Sequence, residues 1–373
     1  MEYNGIYIGV DSLYMVAGDI FKGMENINKI LIRNGGENAI DKTFFYLSGI
    51  EAGLFEGSSL VFTRDSQKLF VYPLEEELAK QSGHEIVVAN SLSEMKEKVA
   101  KELSMESEVG VNLSSLTVEM FESVKSENPK LRFRDVSSNI SEARMQKSTD
   151  EIKRLREAAR ISGEVYQAVL DSLKEGMQET EVAAMLVYRM MSEGASGPAF
   201  GTIVGFGENS AIPHYSAGRR KLKKGDFVLT DYGAQYRRYC ADTTRTAVFG
   251  RATEEQKEIY SIVHEAQARS MELIKAGVNG RIVNQKALDI IDSTRYRGKM
   301  MHGLGHGIGL EVHDHSALGK ADRELKENMV ITDEPGIYVA GFGGVRIEDD
   351  VLVKRDGYER ITHKPPSDLI EVR

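Results

Sequence analysis

The sequence predicts an α+β protein of two domains, a smaller α/β domain over residues 1–140 and a larger domain over residues 141–373. The length of 373 residues exceeds what one domain usually holds. Strand-like and helix-like runs alternate through the first third of the chain, which favours an α/β domain there. The remaining two thirds contain two similar helical segments, which indicates an internal duplication.

Short apolar runs alternate with amphipathic ones in residues 1–140. The strand-like runs are SLVFTR, KLFVY, EIVVAN, EVGVNL and LRFRDV, and the helical ones are EEELAKQ, LSEMKEKVAKEL and TVEMFESVK. This alternation is typical of a three-layer α/β domain. Ser91 and Glu94 form a capping box that would begin one of the helices. No glycine-rich phosphate loop occurs in this part of the sequence, so nucleotide binding is not supported.

The larger domain begins near SSNISEARMQKS. Ser148 with Glu151, and Thr253 with Gln256, have the spacing of capping boxes. Each pair precedes an amphipathic pattern, so each predicts the start of a long helix.

The duplication is visible when the two halves are aligned. Setting Gly176 on Gly277 also sets Val182 on Val283, at an offset of 101 residues. Each half then runs helix, helix, strand toward a segment that contains histidine. Two such halves facing each other would enclose a cleft between their sheets.

Composition and charge exclude several classes of protein. No run of 18 apolar residues is present, so no membrane span is expected. The formal net charge of -9 argues against nucleic acid as a partner. The single cysteine, Cys240, and a start without a basic signal-like region predict a reducing, cytoplasmic setting.

Potential metal ligands are concentrated in four motifs, LTDYGAQYRRYCADTTRT, HGLGHGIGLEVHD, ITDEPGIYV and GGVRIEDDV. The ligands are Asp231, Asp242, His306, Glu334 and Glu348. Asp231 and Asp242 lie 11 positions apart in a strand, turn, strand pattern. Glu334 and Glu348 lie 14 apart around AGFGG, and a hairpin centred near Gly341 would place them opposite each other.

Like charges so placed repel one another, so a cation is expected between them. Two divalent ions would balance the four carboxylates, polarise a carbonyl and generate hydroxide near neutral pH. Oxygen ligands with one imidazole suit manganese or cobalt(II), with zinc or iron(II) as alternatives. The five residues together predict a two-metal hydrolase site.

The ordered motifs resemble those of the pita-bread metallopeptidases, specifically the Xaa-Pro dipeptidase (prolidase) and aminopeptidase P branch. The resemblance is strong over about residues 147–373 and weaker before them. It implies a pita-bread catalytic domain with an internal pseudo-two-fold, preceded by a creatinase-like domain that gates substrate and supports a homodimer. It also implies hydrolysis of the bond preceding proline in small peptides.

The resemblance assigns a role to each ligand. Asp231 and Asp242 would bind one metal ion, with Asp242 bridging. His306 and Glu334 would bind the other, and Glu334 would also act as a proton shuttle. Glu348 would bridge both ions.

Two histidines match the substrate side of the family's site, and one arginine lies close to a predicted ligand in the sequence. His214 in SAIPHYSAG and His313 in LEVHD correspond to its two substrate-side histidines, which can donate to a substrate or to a developing oxyanion. Arg346 is a candidate clamp for a substrate carboxylate. A salt bridge from Arg346 to Asp349 or another acid is the equal alternative. His302 precedes His306 by four residues, but the intervening glycines argue against a helical metal pair, so His302 is expected to support a ligand.

Substrate length is the open question. The run HDHSA lacks the glutamate, and the proline and arginine, that the family commonly has after the second histidine. The short N-terminal domain favours Xaa-Pro dipeptides, and aminopeptidase P activity on longer Xaa-Pro peptides is the main alternative. A non-catalytic pita-bread binding module and a metal-free creatinase-like hydrolase are weaker alternatives, because both would be expected to lack these acids.

Overall fold

The computed structural model describes residues 20–319 and 322–373. The chain divides into two compact units, the first ending at Arg144 and the second comprising Met145–Arg373. Helix Ser137–Met145 crosses both this division and the position 140/141 that the sequence suggests. Among the described residues, no helix combines the length and the apolar character that a bilayer span requires.

A six-stranded sheet forms the centre of the first unit, in the order β4-β3-β2-β1-β5-β6. Its strands are β1 (Ile30–Arg33), β2 (Ser59–Phe62), β3 (Gln67–Val71), β4 (Glu85–Val88), β5 (Glu108–Val111) and β6 (Arg132–Asp135). Strand β2 is antiparallel to β1 and β3, whereas the β3-β4, β1-β5 and β5-β6 pairs are parallel. The predicted alternation of strands and helices is therefore confirmed.

In the part of this unit that the structure describes, five helices accompany the sheet: α1 (Lys42–Ser48), α2 (Glu76–Lys80), α3 (Leu92–Leu103), α4 (Val118–Glu127) and α5 (Ser137–Met145). Helix α3 packs on the sheet through Met95, Val99 and Leu103, which lie four residues apart on one face. The predicted cap of α3 is confirmed in part. The Ser91 hydroxyl accepts from the Glu94 amide at 3.2 Å, but the Glu94 carboxylate accepts from the Asn90 amide at 2.7 Å instead of from the Ser91 amide.

The described residues of the second unit include four long helices, α6 (Thr149–Leu170), α7 (Glu179–Ser192), α8 (Glu254–Met271) and α9 (Gly280–Asp292). Both predicted capping boxes are confirmed. Ser148 and Glu151 exchange hydrogen bonds at the start of α6, and Thr253 and Gln256 do so at the start of α8. Each box satisfies amide groups that the first helical turn leaves without partners.

Two main sheets lie in the second unit, one in each half. The first has the order β20-β12-β9-β8 and the second the order β14-β13-β15-β18-β19. The strands of the first are β8 (Ile203–Phe206), β9 (Phe227–Tyr232), β12 (Thr243–Phe249) and β20 (Ile370–Val372). Those of the second are β13 (Gly305–Gly307), β14 (His315–Leu318), β15 (Val330–Asp333), β18 (Asp349–Lys354) and β19 (Gly357–Arg360).

Smaller pairings complete the second unit. Strands β7 (Gly197–Pro198), β10 (Ala234–Tyr236) and β11 (Tyr239–Cys240) form a three-stranded sheet. Strands β16 (Gly336–Val339) and β17 (Gly343–Arg346) form a hairpin, and a 3-10 turn spans Gly207–Ala211.

The two halves repeat the same local connections. Gly176 donates to the Leu222 carbonyl at 2.8 Å, and Gly277 donates to the Leu325 carbonyl at the same distance. Both glycines have positive φ, +89° and +85°, which only glycine adopts without strain. Helices α6 and α7 pack on the first sheet and α8 and α9 on the second. The structure thus confirms the internal duplication at the predicted positions.

Candidate metal centre

Asp231 and Asp242 come from one strand–turn–strand segment, as predicted. Asp231 lies in β9 opposite Thr244 of β12, and Asp242 immediately precedes β12. A two-residue turn at 237–238 reverses the chain between β10 and β11. The backbone segments beside the two aspartates approach so closely that a Cβ on Gly233 would lie 1.7 Å from the Ala241 carbonyl oxygen. Glycine at this position therefore permits the close approach of the two ends of the segment.

Glu334 and Glu348 lie at the junction of two antiparallel pairings. Asp333 faces Asp349 across β15 and β18, and Gly336 faces Arg346 across β16 and β17. The same register places the two glutamates opposite each other. The turn of this hairpin contains Gly341, with φ of +76°. The predicted hairpin and its centre are confirmed.

His306 reaches the carboxylates from β13. Its amide donates to the Thr332 hydroxyl at 3.0 Å, which ties β13 to β15 beside the site. The Nε2 atom of His306 lies 3.8 Å from Oδ2 of Asp242 and 3.5 Å from Oε1 of Glu334. One ligand atom each from Asp242, His306 and Glu348 falls within 4.8 Å of the others. That spacing leaves room for a cation that all three could bind.

One cavity of about 360 Å³ collects every predicted site residue. Its walls include the five predicted ligands Asp231, Asp242, His306, Glu334 and Glu348, together with His214, His313 and Arg346. Phe200, Ile203, Pro213 and Val312 add apolar surface. A concave site with apolar walls and a few converging polar groups is the usual form of a small-ligand site.

Burial and mutual repulsion raise the pKa of the Asp242, Glu334 and Glu348 carboxyl groups. Burial, followed by the charge of Glu348, raises the pKa of Asp242 and of Glu334 well above their usual range. Burial, followed by the charge of Asp231, raises the pKa of Glu348 to about 8. Without a cation, these groups are costly to ionise in the folded protein.

This cost has a definite pH dependence. The pKa of Glu348 is about 8 in the folded protein, against an ordinary value of 4.5, so ionisation favours unfolding as the pH rises from 4.5 toward 8. His306 has the opposite effect, because burial and then the charge of His313 lower its pKa from 6.5 to about 4. Its contribution increases stability between pH 4 and 6.5 and is constant above that range. Above pH 6.5 the histidine no longer changes the stability, so the cost of ionising the buried carboxyl group is the remaining effect of the two. A bound cation would remove that cost.

Two buried oxygens point to a cation directly. Oδ1 of Asp231 and Oδ1 of Asp242 are shielded from solvent, and no described residue donates a hydrogen bond to either atom. Buried carboxylate oxygens are normally satisfied by a donor or a metal ion. The four carboxylates and one imidazole also form a donor set that divalent cations accept. These residues fit a metal site.

Arg346 is bound to one of the predicted ligands. Its guanidinium donates to Asp231 at 2.6 Å, to the Tyr338 hydroxyl at 2.8 Å and to the Thr244 hydroxyl at 3.0 Å. The sequence left open a salt bridge to Asp349 or another acid, and the acid is Asp231. Asp349 pairs with other arginines, Arg245 at 2.7 Å and Arg360 at 3.3 Å.

His302 connects to this arrangement through Tyr338, and its expected support of a metal ligand stays a prediction. Its Nε2 lies 2.8 Å from the Tyr338 hydroxyl, and its Nδ1 lies 2.8 Å from the Gly303 carbonyl oxygen. Burial lowers the pKa of His302 to about 4, and the bond to the Gly303 carbonyl offsets only part of that effect. The imidazole is therefore neutral at physiological pH and connects through Tyr338 to Arg346.

His214 lies on a segment that a buried glutamate holds in place. Glu179 lies at the start of α7, and each of its two carboxylate oxygens accepts two hydrogen bonds. One oxygen accepts from the Phe206 amide and the Asn209 side chain, each at 2.9 Å. The other accepts from the Tyr215 hydroxyl at 2.9 Å and the Gly218 amide at 3.0 Å. Segment 206–218, which carries His214 at the cavity, is thus fixed at several points by one side chain.

Several supporting residues were missed by the sequence analysis. Thr244 donates to Glu348 at 2.6 Å, and the Asp242 amide donates to Asp350 at 3.0 Å. Glu179 was missed because a lone glutamate at a helix start is usually exposed. The adjacent acids in the motif RIEDD were visible, and their density was the one signal that could have marked Asp350 as part of the site.

Comparisons with known proteins agree with this geometry. Residues 153–355 match metallopeptidase family M24, and residues 25–146 match the creatinase/prolidase N-terminal domain. The Xaa-Pro dipeptidase of Pyrococcus furiosus is 36% identical over 340 residues, which cover 89% of this chain and 96% of that protein.

Two solved structures are similar over nearly the whole chain. The Xaa-Pro dipeptidase from Bacillus anthracis has a TM-score of 0.88 and 33% identity, covering 97% of this chain and 99% of that one. The X-Pro aminopeptidase from Thermotoga maritima has a TM-score of 0.87 and 34% identity, covering 93% and 98%. The predicted pita-bread domain and its creatinase-like N-terminal partner are confirmed. The chain belongs to metallopeptidase family M24 and is a metallopeptidase of the prolidase type.

Proposed function

We propose that this metallopeptidase hydrolyses the bond preceding proline in Xaa-Pro dipeptides, within the cavity that contains the predicted ligands. The observation that carries the proposal is the convergence of those ligands with His214, His313 and Arg346 on one cavity of about 360 Å³. A cavity of this size suits a small peptide. The relatives named Xaa-Pro dipeptidase, similar over nearly their whole length, support the same substrate.

Two divalent ions are the proposed cofactors. Asp231 would hold one ion and His306 and Glu334 the other, with Asp242 and Glu348 shared between them. Such ions polarise a scissile carbonyl and lower the pKa of water. The oxygen-rich donor set favours manganese or cobalt(II), with zinc or iron(II) as alternatives.

Glu334 is the proposed proton carrier. Burial and the charge of Glu348 raise its pKa, which suits a carboxyl group that takes up a proton for part of the cycle. The nitrogen of the scissile bond must receive a proton before it leaves, because the unprotonated nitrogen anion is a very poor leaving group. Glu334 accepts a proton from the attacking water and delivers it to that nitrogen.

Two histidines act on the substrate in this proposal. The His313 ring lies 4.1 Å from the His306 ring, centroid to centroid, and so stands beside the ligand set. His313 donates a hydrogen bond to the oxyanion that develops at the carbonyl. His214 contacts the bound peptide from the segment that Glu179 holds.

The free carboxylate of a dipeptide needs a cation. Among the described residues that line the cavity, Arg346 is the one arginine or lysine. Its side chain is 4% exposed. Hydrogen bonds to Tyr338, Asp231 and Thr244 fix the position of its guanidinium group. We assign the proline carboxylate to Arg346, because a buried carboxylate without a cation would carry a penalty of several kcal/mol, of order that of a broken buried ion pair.

Product analysis tests the substrate assignment. The metal-loaded enzyme is given an Xaa-Pro dipeptide and the matching Xaa-Pro-Xaa tripeptide, and kcat/KM is measured for each. We expect higher kcat/KM on the dipeptide. Comparable or higher kcat/KM on the tripeptide would establish the second candidate, aminopeptidase P activity, which the similarity to the Thermotoga maritima X-Pro aminopeptidase supports.

A homodimer in the cytoplasm, without nucleic-acid or membrane partners, completes the proposal. The net charge of -9 and the single cysteine support the setting and the absence of nucleic acid. Light scattering after size exclusion tests the dimer, since one chain has a mass of 41.5 kDa. A single species of that mass would rule the dimer out.

A further inference from the structure

A buried ion pair joins the start of the second unit to the segment that carries His313. Nζ of Lys147 lies 3.0 Å from Oδ2 of Asp314, and the two side chains are 1% and 2% exposed. Lys147 directly precedes the cap of α6, and its amide donates to the Asn328 carbonyl at 2.8 Å. Both ends of the lysine are therefore anchored. A buried pair of charges 167 residues apart in sequence links two distant parts of the chain.

The partner of Lys147 follows His313 directly. The Asp314 amide donates to the Gly307 carbonyl at 2.8 Å, and Gly307 follows the ligand His306. The segment from Gly307 to Asp314 is thus closed into a loop, with His306 at one end and His313 at the other. The ion pair therefore constrains the backbone directly after His313.

The loop packs directly on the ion pair. A Cβ on Gly309 would lie 2.5 Å from Oδ2 of Asp314 and 3.0 Å from Nζ of Lys147. The Gly309 carbonyl also accepts from the Cys240 amide at 2.8 Å, two residues before Asp242. The Lys147 ammonium and the Asp314 carboxylate therefore pack against the loop backbone at Gly309. They hold that backbone against the segment that contains Cys240 and Asp242.

A second acid stands near the same lysine. Glu151 is buried at the third position of α6, where burial raises its pKa and the charge of Lys147 partly offsets that effect. Asp314→Asn would consequently leave the Lys147 ammonium with another carboxylate. Lys147→Met would remove the ammonium group from beside both buried acids, Glu151 and Asp314. The asparagine variant is the milder change and the one suited to a functional test.

We propose that the Lys147–Asp314 pair positions His313 over the metal-binding side chains, so that Lys147 and Asp314 are positioning residues for the reaction. The inference rests on the role given to His313 in the proposed function. The pair holds the end of the loop that follows His313. The His313 ring then lies 4.1 Å from the His306 ring, centroid to centroid. A misplacement of about 1 Å at such a group can cost about 100-fold in rate.

The test is a double-mutant cycle on the metal-loaded full chain. His313→Ala should lower kcat by about 10²–10³, as for the loss of one oxyanion donor. Asp314→Asn should lower kcat by about 10- to 100-fold with little change in KM, and should have no further effect in the His313→Ala background. Leu170→Ala, at the far end of α6, is the control for loss of stability, because Leu170 is buried and distant along the helix.

Each outcome decides a separate point. An equal loss of kcat from Asp314→Asn with and without His313, or a loss no greater than that in Leu170→Ala, would overturn the positioning role. Wild-type kcat in His313→Ala would instead overturn the role of His313 in the proposed function. Hydrolysis of tripeptides alone would reject the dipeptidase assignment, and the cycle would then be run on the tripeptide.

A readout without turnover tests the geometry itself. In metal-free protein labelled with ¹⁵N-histidine, the signal that disappears in His313→Ala identifies the His313 ring. Asp314→Asn and Lys147→Met should shift this signal, whereas Leu170→Ala should not. An unchanged signal in Asp314→Asn would contradict the proposal even if the enzyme were inactive on every peptide tested.

Discussion

Replacing Glu179 with glutamine should loosen the segment that carries His214. The wild-type carboxylate accepts four hydrogen bonds, two on each oxygen. An amide keeps one of these oxygens and replaces the other with an NH₂ group. That group would face two donors, either the Phe206 amide and the Asn209 side chain or the Tyr215 hydroxyl and the Gly218 amide.

The magnitude follows from those contacts. A hydrogen bond to a charged group contributes about 1.5–3 kcal/mol. The Tyr215 hydroxyl can rotate and accept from the new NH₂ group, so the change removes at least one contact outright and the charge from the others. We expect the free energy of unfolding to fall by about 2–4 kcal/mol. This is a large share of the about 5–15 kcal/mol that typically stabilises a folded protein.

Urea unfolding followed by circular dichroism measures the stability, and kcat/KM on an Xaa-Pro dipeptide measures the function. Glu175→Gln is the matched control, because Glu175 is exposed just before the same helix and should change stability by no more than about 0.5 kcal/mol. Glu179→Gln should also lower kcat/KM by about 10- to 100-fold through displacement of His214. If Glu179→Gln matched Glu175→Gln in both measurements, the four contacts would not hold the segment.

Three further predictions concern the metal centre. Asp242→Asn should abolish turnover and lower the bound metal measured by mass spectrometry while preserving the circular dichroism spectrum, whereas two bound ions and a wild-type rate would show that Asp242 is not a ligand. Chelation should abolish activity, and the metal-free protein should show a Tm that falls between pH 6.5 and 8, because the Glu348 pKa is about 8 in the folded state and 4.5 ordinarily. Saturating manganese should remove that fall, and a Tm that rises over this range without metal would contradict the assignment. Arg346→Lys should raise KM for an Xaa-Pro dipeptide more than for the corresponding Xaa-Pro amide, which has no carboxylate, and equal increases would exclude Arg346 as the carboxylate clamp.

Local geometry could be predicted wherever neighbouring residues determine it. The capping boxes at Ser148 and Thr253 depend on residues three positions apart, and both form as expected. The facing of Glu334 and Glu348 depends on one short hairpin, whose centre is set by glycines near position 341. The box at Ser91 differed in one bond, because the Glu94 carboxylate can reach the Asn90 amide as readily as the amide of the cap. That competition involves adjacent groups and has no sequence signature.

The sequence by itself therefore determined the two-domain α+β organisation, the duplication and the candidate ligands, because turn chemistry, hydrophobic periodicity and motif order are properties of short segments. Only the tertiary structure decided which groups meet across the fold. The approach of His306 to Asp242, the pairing of Arg346 with Asp231 and the burial of Lys147 against Asp314 each join residues at least 64 positions apart. Such contacts depend on how the two sheets and their helices pack, since charges that sequence alone would place at the surface are buried only when a distant partner offsets the loss of water.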